Sequence, residues 1–404
     1  MIEGENIICI SFLNWDRLPL VMHQMMTRIA KRNRVLFVDP PVALTTPLFH
    51  PKKSSGFVSK KIAYWIKGVK KVNENLYVYY PLPLFLQFGH FALNDTFNQW
   101  YLGSAVNFIA RKLRFDSPIL WLYEPFALNP NGQLGEKLVC FDCSDDISAF
   151  ESFHYKRKKL LSLEEEFVKK VDVVFTTSRN LFNTKKALNP NTHYFPSGVD
   201  VEHFQKALSP SCAVPEDVKM RPKPIIGFIG EITNYRINWE WIINLSVSRP
   251  EWSIVFIGPC MEKPPENVLA LRNLFFLGKK DMQSLPAYLK AFDVGIIPYK
   301  GEEFLKTCQP TKTFEYLAAG KPVVSSFIPE LEDYTSVVRL AKNEGEFLSH
   351  LDAALADKDN ADFVERCIKI ARDNTWDKRV EGTTAIIASM LKQKKTGSGK
   401  LYKL

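Results

Sequence analysis

No run of about 18 uninterrupted apolar residues, the length a spanning helix needs, occurs in the 404 residues of this chain, so no bilayer-crossing helix is expected. Cysteine is sparse as well. Seven residues, an odd number without paired spacing, argue against a disulfide framework and for reduced thiols in a cytoplasmic protein. Cys140 and Cys143 form a lone C-x-x-C with no second pair to complete a zinc site, so no metal is expected. No G-x-G-x-x-G follows the first strand of either half, which disfavours a dinucleotide oxidoreductase. Internal repeats and long low-complexity tracts are missing too. The acidic opening Met1-Ile2-Glu3-Gly4-Glu5-Asn6 precedes only a short apolar run, unlike a secretory signal.

Acidic residues are absent from residues 50–72, where seven lysines (52, 53, 60, 61, 67, 70 and 71) interleave with Phe57, Tyr64 and Trp65. Lysines mixed with aromatic rings suit the headgroup zone of an anionic membrane, each basic residue contributing roughly 1 kcal/mol near the surface. A solvated lysine-rich loop is the alternative. Nucleic acid is not expected as a partner, because no recognisable nucleic-acid-binding motif accompanies the charge.

What the sequence has is alternation. Short β-branched or aromatic runs at 7–11, 35–39, 76–80, 119–123, 137–142 and 173–177 read as buried strands, with helical spacing at 20–31, 91–113 and 155–170 between them. That pattern predicts a parallel sheet with crossover helices. After residues 193–200, the stretch 206–224 carries Pro210, Pro215, Pro222 and Pro224 with little apolar periodicity and reads as a linker. The alternation restarts at 225–230, 253–258, 274–278, 294–298, 323–326 and 337–340. Three of these strands end in glycine, where ligands reach the backbone at the carboxyl edge of a parallel sheet. The expected organisation is a first Rossmann-like domain at 1–205, the linker, a second at 225–375, and a C-terminal helix at 376–404 returning toward the first.

The stretch from Gln309 to Ser326 predicts one well-marked helix and one strand. Pro310 suits the first turn, Gly320 a left-handed residue just past the end, and Pro322 bars the helix from resuming. Phe314, Leu317 and Ala318 make an apolar face, which leaves Lys312 and Glu315 together on another. The helix start favours an anion such as phosphate, and a carboxylate beside a phosphate needs a different partner, for which a pair of ribose hydroxyls is suited. The plain alternative is a surface glutamate on an ordinary αβ unit.

Two Rossmann-like halves, a proline-bearing linker and the run Phe314-Glu315-Tyr316-Leu317-Ala318-Ala319-Gly320-Lys321-Pro322 resemble the GT-B glycosyltransferases, specifically the retaining family 4 (family 1/4-like) enzymes. Supporting segments are Phe195-Pro196-Ser197-Gly198-Val199-Asp200, then Trp252 to Pro259, Leu277-Gly278, and Leu285 through Asp293. The resemblance implies an α/β fold of two Rossmann-like domains facing across a cleft. It also implies metal-independent, retaining transfer from a nucleotide diphosphate sugar to a hydroxyl of a glycan or lipid-linked acceptor, in cell-surface polysaccharide or glycoconjugate synthesis. Carried over by position, Glu315 holds the donor ribose, Thr311 and Lys312 meet the diphosphate, and Gly230 permits close approach to phosphate. Arg236 is the nearest cation beyond that glycine, and Lys279 stands where it can lie beside the base or remain a surface lysine.

The sequence departs from the family in three places. Thr307 stands where a first glutamate is usual, eight positions before Glu315, which leaves the donor sugar open. Where relatives carry a catalytic histidine, this chain has Asp142, Asp145 and Asp146. One of them can accept a hydrogen bond from the acceptor hydroxyl or stabilise an oxocarbenium-like transition state, or Asp145 can be a helix N-cap and the others ordinary loop acids. Asp16 and Arg17, beyond the first strand, are expected in the cleft but lack the family's frequent glycine pair. Two further readings stay open: a sugar-nucleotide epimerase of the same fold, and a non-catalytic sugar-nucleotide-binding partner of another transferase.

Overall fold

A computed structural model describes residues 1–16, 20–41, 68–82, 92–125, 128–144, 146 and 157–396. Most of the lysine-rich segment, together with Arg17 and Asp145, lies outside the described residues. The chain divides into two compact units. The first comprises Met1–Ser144, Tyr155–Phe195 and Arg379–Leu404, and the second Asp145–His154 and Pro196–Lys378.

The first unit is built on an eight-stranded sheet: β1 (Asn6–Ile10), β2 (Arg34–Val38), β3 (Val69–Lys71), β4 (Leu76–Tyr79), β5 (Ile119–Leu122), β6 (Leu138–Cys143), β7 (Val173–Thr176) and β8 (Thr192–Tyr194). Their spatial order is β3-β4-β2-β1-β5-β6-β7-β8. All neighbours are parallel except β3 and β4, which run antiparallel. Strands β5, β6 and β7 are buried along their whole length, as expected for central parallel strands covered on both faces. The edge strands β3 (Val-Lys-Lys) and β8 (Thr-His-Tyr) were not anticipated, because they lack the apolar run that marks the equally short edge strand β11. Lys70 and Lys71, read as part of the basic segment, occupy edge strand β3, where lysine discourages pairing with another chain.

The second unit carries a six-stranded, all-parallel sheet: β9 (Ile225–Ile229), β10 (Ser253–Ile257), β11 (Leu274–Phe276), β12 (Val294–Ile297), β13 (Val323–Ser326) and β14 (Val338–Ala341). Their order is β11-β10-β9-β12-β13-β14. In both sheets the chain builds outward from one strand, then returns and builds the other way. The reversal falls between β1 and β5 in the first sheet and between β9 and β12 in the second, and such switch points are where open α/β sheets bind ligands.

Residues 206–224, read as a linker, pack against the second unit. Pro215 opens a short helix, Glu216–Lys219, whose Val218 is fully buried in the core of the second unit with Ala207. Asp217 accepts hydrogen bonds from Lys280 at 2.7 Å and Tyr288 at 3.0 Å. The prolines mark turns in packed structure. The last long helix, Trp376–Lys395, crosses the boundary, so that Arg379 onward belongs to the first unit. Among the described residues, no helix is long and apolar enough to cross a membrane.

Candidate functional site

The helix predicted around Glu315 is present at Lys312–Ala318, seated behind the switch point of the second sheet. Its buried face is aromatic. The Tyr316 hydroxyl accepts a hydrogen bond from the Ile229 amide at 2.7 Å, tying the helix to the end of β9. The Tyr316 ring lies so close to β12 that a Cβ on Gly295 would sit 2.4 Å from it, so glycine is what permits this contact. With Tyr316, Phe314 and Leu317 buried, Lys312 and Glu315 are left on a common, partly exposed face one turn apart.

Lys312 is held in place. Its ammonium donates to the Tyr299 hydroxyl just beyond β12, and it lies 4.7 Å from the Tyr299 ring centre and 5.1 Å from that of Phe228 in β9. The Tyr299 hydroxyl and the Phe228 ring hold the cation without neutralising it. Gly230, at φ +153°, ends β9 beside it: a Cβ there would be 3.0 Å from Lys312 Cε and 3.1 Å from Nζ. The glycine therefore leaves room for the lysine as well as the backbone. The amides of Thr313 and Phe314 turn back onto Pro310 and Thr311. Those of Thr311 and Lys312 open the helix with no backbone acceptor among the described residues.

Glu315 has no hydrogen-bond or ion-pair partner among the described residues. Burial pushes its carboxyl up to about 7, against a smaller downward pull from Lys312. A partly buried, partnerless carboxyl beside a fixed cation at a sheet switch point is the arrangement expected of a ligand site.

Arg236 joins the same cluster. Its guanidinium is 4.9 Å from the ring of Phe304, which packs edge-on against Tyr299 at 5.6 Å, and its carbonyl accepts from the Lys300 amide at 2.8 Å. Thr307 belongs to the helix Glu302–Thr307 but is turned inward, 8 % exposed, with its hydroxyl 3.5 Å from the Phe304 carbonyl. Thr311 is partly exposed at the helix start. Lys279 is exposed past the end of edge strand β11, two strands from β9. Of the residues expected to bind a donor, the structure thus gathers Glu315, Lys312, Thr311, Gly230 and Arg236, and leaves Lys279 apart.

The aspartates part company: Asp142 belongs to the first unit and Asp146 to the second. Asp142 is fully buried in β6, and its Oδ1 accepts from Arg379 Nη2 at 2.7 Å, with the Arg379 side chain 2 % exposed. Arg379 also donates to the Phe195 carbonyl. A carboxylate closed off from solvent and paired with a buried guanidinium cannot meet an acceptor hydroxyl; Asp142 holds the C-terminal helix to the sheet. Asp146 is partly buried, and Asp145 lies outside the described residues. Asp16 is exposed and accepts from Lys70 Nζ and the Tyr80 hydroxyl, each at 3.2 Å. Cys140 and Cys143 are both buried on β6, and their odd separation sends their side chains to opposite faces of the sheet.

Sequence reasoning passed over Glu124, two residues beyond β5 at the switch point of the first sheet. The Tyr123 amide donates to the Ile10 carbonyl at 3.0 Å, which fixes the exit of β5 beside that of β1. Glu124 has no partner among the described residues, and burial pushes its carboxyl up to about 7. The sequence signal is a carboxylate two residues after a four-residue apolar strand. Knowing that β5 neighbours β1 was needed to value it.

Each unit is thus a Rossmann-like parallel sheet with a partnerless carboxyl at its switch point, and the second adds the cation and the free amides suited to a nucleotide's phosphates. Residues 223–373 match the family model described as glycosyl transferases group 1, within a chain of GT-B fold. A relative from Bacillus subtilis (strain 168), TuaH, to which a glycosyltransferase role in teichuronic acid biosynthesis is attributed, is 27 % identical over 256 residues. That match spans 59 % of this chain and 64 %, just under two thirds, of the relative. Among solved structures, sucrose-phosphate synthase from Thermosynechococcus elongatus superposes with a TM-score of 0.68 at 13 % identity, over 96 % of this chain and 99 % of that one. Anabaena HepE in complex with UDP and glucose gives 0.63 at 12 %, over 96 % and 100 %. At such identities the likeness is one of fold.

Proposed function

We propose that this chain is a glycosyltransferase that takes its sugar from a nucleoside diphosphate sugar held by the second unit and passes it to a hydroxyl of a glycan or lipid-linked acceptor. The observation that carries the reading is the pairing of Lys312 and Glu315 on one helix face at the β9/β12 switch point. Lys312, held between Tyr299 and Phe228 and next to Gly230, stabilises the charge that develops on the departing diphosphate. The open amides of Thr311 and Lys312 add fixed donors to the same phosphates. Glu315 accepts the ribose hydroxyls, for which its ionised form is the better acceptor. Arg236 supplies a second cation to the phosphate side.

A uridine diphosphate sugar is the first donor to try, because the HepE structure holds UDP and glucose. Retention of configuration and independence from metal are part of this proposal, by likeness to the family. So is a place in polysaccharide biosynthesis, with TuaH as the supporting relative. We assign Glu124 to the acceptor side, as a carboxyl titrating near neutrality that can accept a proton from the attacking hydroxyl. The domain limits 1–205, 206–224, 225–375 and 376–404 are proposed as functional divisions, with work at the cytoplasmic face of a membrane approached by residues 50–72.

The test is calorimetric titration with UDP and a panel of nucleotide sugars, followed by an acceptor screen with the donor that binds. Binding should weaken at least tenfold in Glu315→Ala and in Lys312→Ala. Nucleotide binding as strong as wild type in both variants would sink the site assignment. Isomerisation of the donor without acceptor would replace transfer by epimerisation.

A further inference from the structure

The helix Ala92–Lys112 of the first unit is apolar on two opposite sides, and the unit covers only one of them. Leu102, Val106 and Ala110 are buried in the core of the first unit. The helix is fastened there by Gln133, whose Nε2 donates to the Trp100 carbonyl and the Ser104 hydroxyl at 3.2 Å each. At about 100° per residue, these three core residues lie roughly opposite Phe97. Trp100, Tyr101, Ser104 and Phe108 lie within about 60° of Phe97, as do Arg111 and Lys112 in the last turn.

This second stripe faces water. Phe97 is 47 % exposed, Trp100 59 % and Phe108 68 %. The rings form a ladder, with Phe97 5.9 Å from Trp100 and stacked on Tyr101 at 6.4 Å. Single exposed hydrophobic residues are ordinary, but three large aromatics aligned on one outer helix face over three turns are not.

Charge selects the occupant. From Thr96 to Lys112 the helix has no acidic residue, and its two cations, both exposed, close the aromatic stripe at one end. Trp and Tyr are the residues that partition into the headgroup layer, and a basic end beside them complements anionic lipid. A protein partner would be expected to meet a polar rim carrying both signs of charge.

We infer that the Phe97, Trp100 and Phe108 face is a docking surface for an anionic lipid bilayer, entered by the aromatic rings and steadied by Arg111 and Lys112. The inference builds on the membrane-proximal part of the function proposed above, but rests on a different segment from residues 50–72 and does not depend on the sugar chemistry. It would bring the first unit, and Glu124 with it, to a lipid-linked acceptor.

The test is co-flotation of the full chain with vesicles of phosphatidylcholine alone or with 30 % phosphatidylglycerol. The expected result is binding to the anionic vesicles, weakened at least tenfold in Phe97→Ser/Trp100→Ser/Phe108→Ser. Arg111→Gln/Lys112→Gln should lose the anionic preference and most of the salt dependence. A thiol-reactive dye on Trp100→Cys, in a chain carrying Cys212→Ser and Cys260→Ser, should blue-shift with the anionic vesicles. Thermal unfolding and nucleotide titration of the same proteins should match wild type, which separates this inference from the nucleotide site. Undiminished flotation of the triple variant would overturn the inference. So would absence of flotation together with a concentration-dependent dimer that the triple substitution abolishes, or with a lowered unfolding temperature showing that the chain itself covers the face.

Discussion

Replacing Glu315 by Gln should stabilise the ligand-free protein at pH 8 and leave its stability at pH 4.5 nearly unchanged. The carboxyl titrates at about 7 in the folded chain against an ordinary value of 4.5, and the first cause is burial. Between those values the folded state holds a proton that the unfolded chain has released. Stability must therefore fall as pH rises through that window and level off above it. The gap corresponds to roughly 3 kcal/mol at about 1.4 kcal/mol per unit, reduced to about 2 kcal/mol for a partly exposed group screened by solvent. For a unit of this size that is a shift of about 4–8 °C. Thermal unfolding of wild type and variant should be followed at pH 4.5, 6 and 8, using the transition that moves when nucleotide is added. The variant's advantage should grow with pH and saturate near 8, while its nucleotide affinity drops. Wild-type affinity should rise through pH 7 as the carboxylate forms, and the variant's should not. A stability difference that is the same at all three pH values, or a variant less stable at pH 8, would refute the burial argument and with it the poised carboxyl.

Lys312→Met should keep the aromatic packing against Phe228 and Tyr299 but cost about 1.5–3 kcal/mol of nucleotide affinity, roughly 10- to 150-fold by calorimetry, because a charge-assisted contact is lost. Glu124→Gln should leave nucleotide affinity unchanged while lowering transfer by about 10²-fold or more and removing the limb near pH 7 from the rate profile of the free enzyme. A loss of nucleotide affinity in that variant would count against an acceptor role. Arg379→Met should destabilise the first unit by about 3–5 kcal/mol in urea unfolding, since it leaves Asp142 buried and unpaired. Adding Asp142→Leu should restore most of that loss, and failure to do so would mean that the pair does more than neutralise itself.

The central strands of both sheets were legible because a strand covered on both faces must be apolar along its length, as Ile119-Leu120-Trp121-Leu122 is. The short edges β3 and β8 were not, because Val-Lys-Lys and Thr-His-Tyr lack the apolar run that marks the equally short β11. The helix at Lys312–Ala318 was legible through its punctuation: Pro310, Gly320 and Pro322 act locally, and local rules read well from sequence. Asp142 misled for the opposite reason. Its partner Arg379 lies 237 residues away along the chain, and no local rule connects them. Tyr299 and Phe228 were missed likewise, since their meaning lies in a lysine that reaches across from the helix Lys312–Ala318. The prolines of 206–224 pointed to turns, which are there, but not to Val218 filling the core beneath them.

Partnership separates the acidic residues of this chain by role better than acidity or position does. Asp142 is the most buried of them and is paired with a buried cation, closed off from any ligand in solvent. Glu315 and Glu124 are partly exposed, lack partners among the described residues, and keep a carboxyl near neutrality at a cost to the folded state. Each stands at the switch point of its own sheet, where adjacent strands send their connections in opposite directions and leave a crevice. A cost borne beside one switch point is unremarkable; a like cost beside the switch points of two separate sheets, from the loop after β5 in one and from the helix between β12 and β13 in the other, is what a protein with one ligand for each unit requires. That symmetry favours a two-substrate transferase over a binding protein, because a chain that only held a nucleotide would gain nothing from a destabilising carboxyl at Glu124.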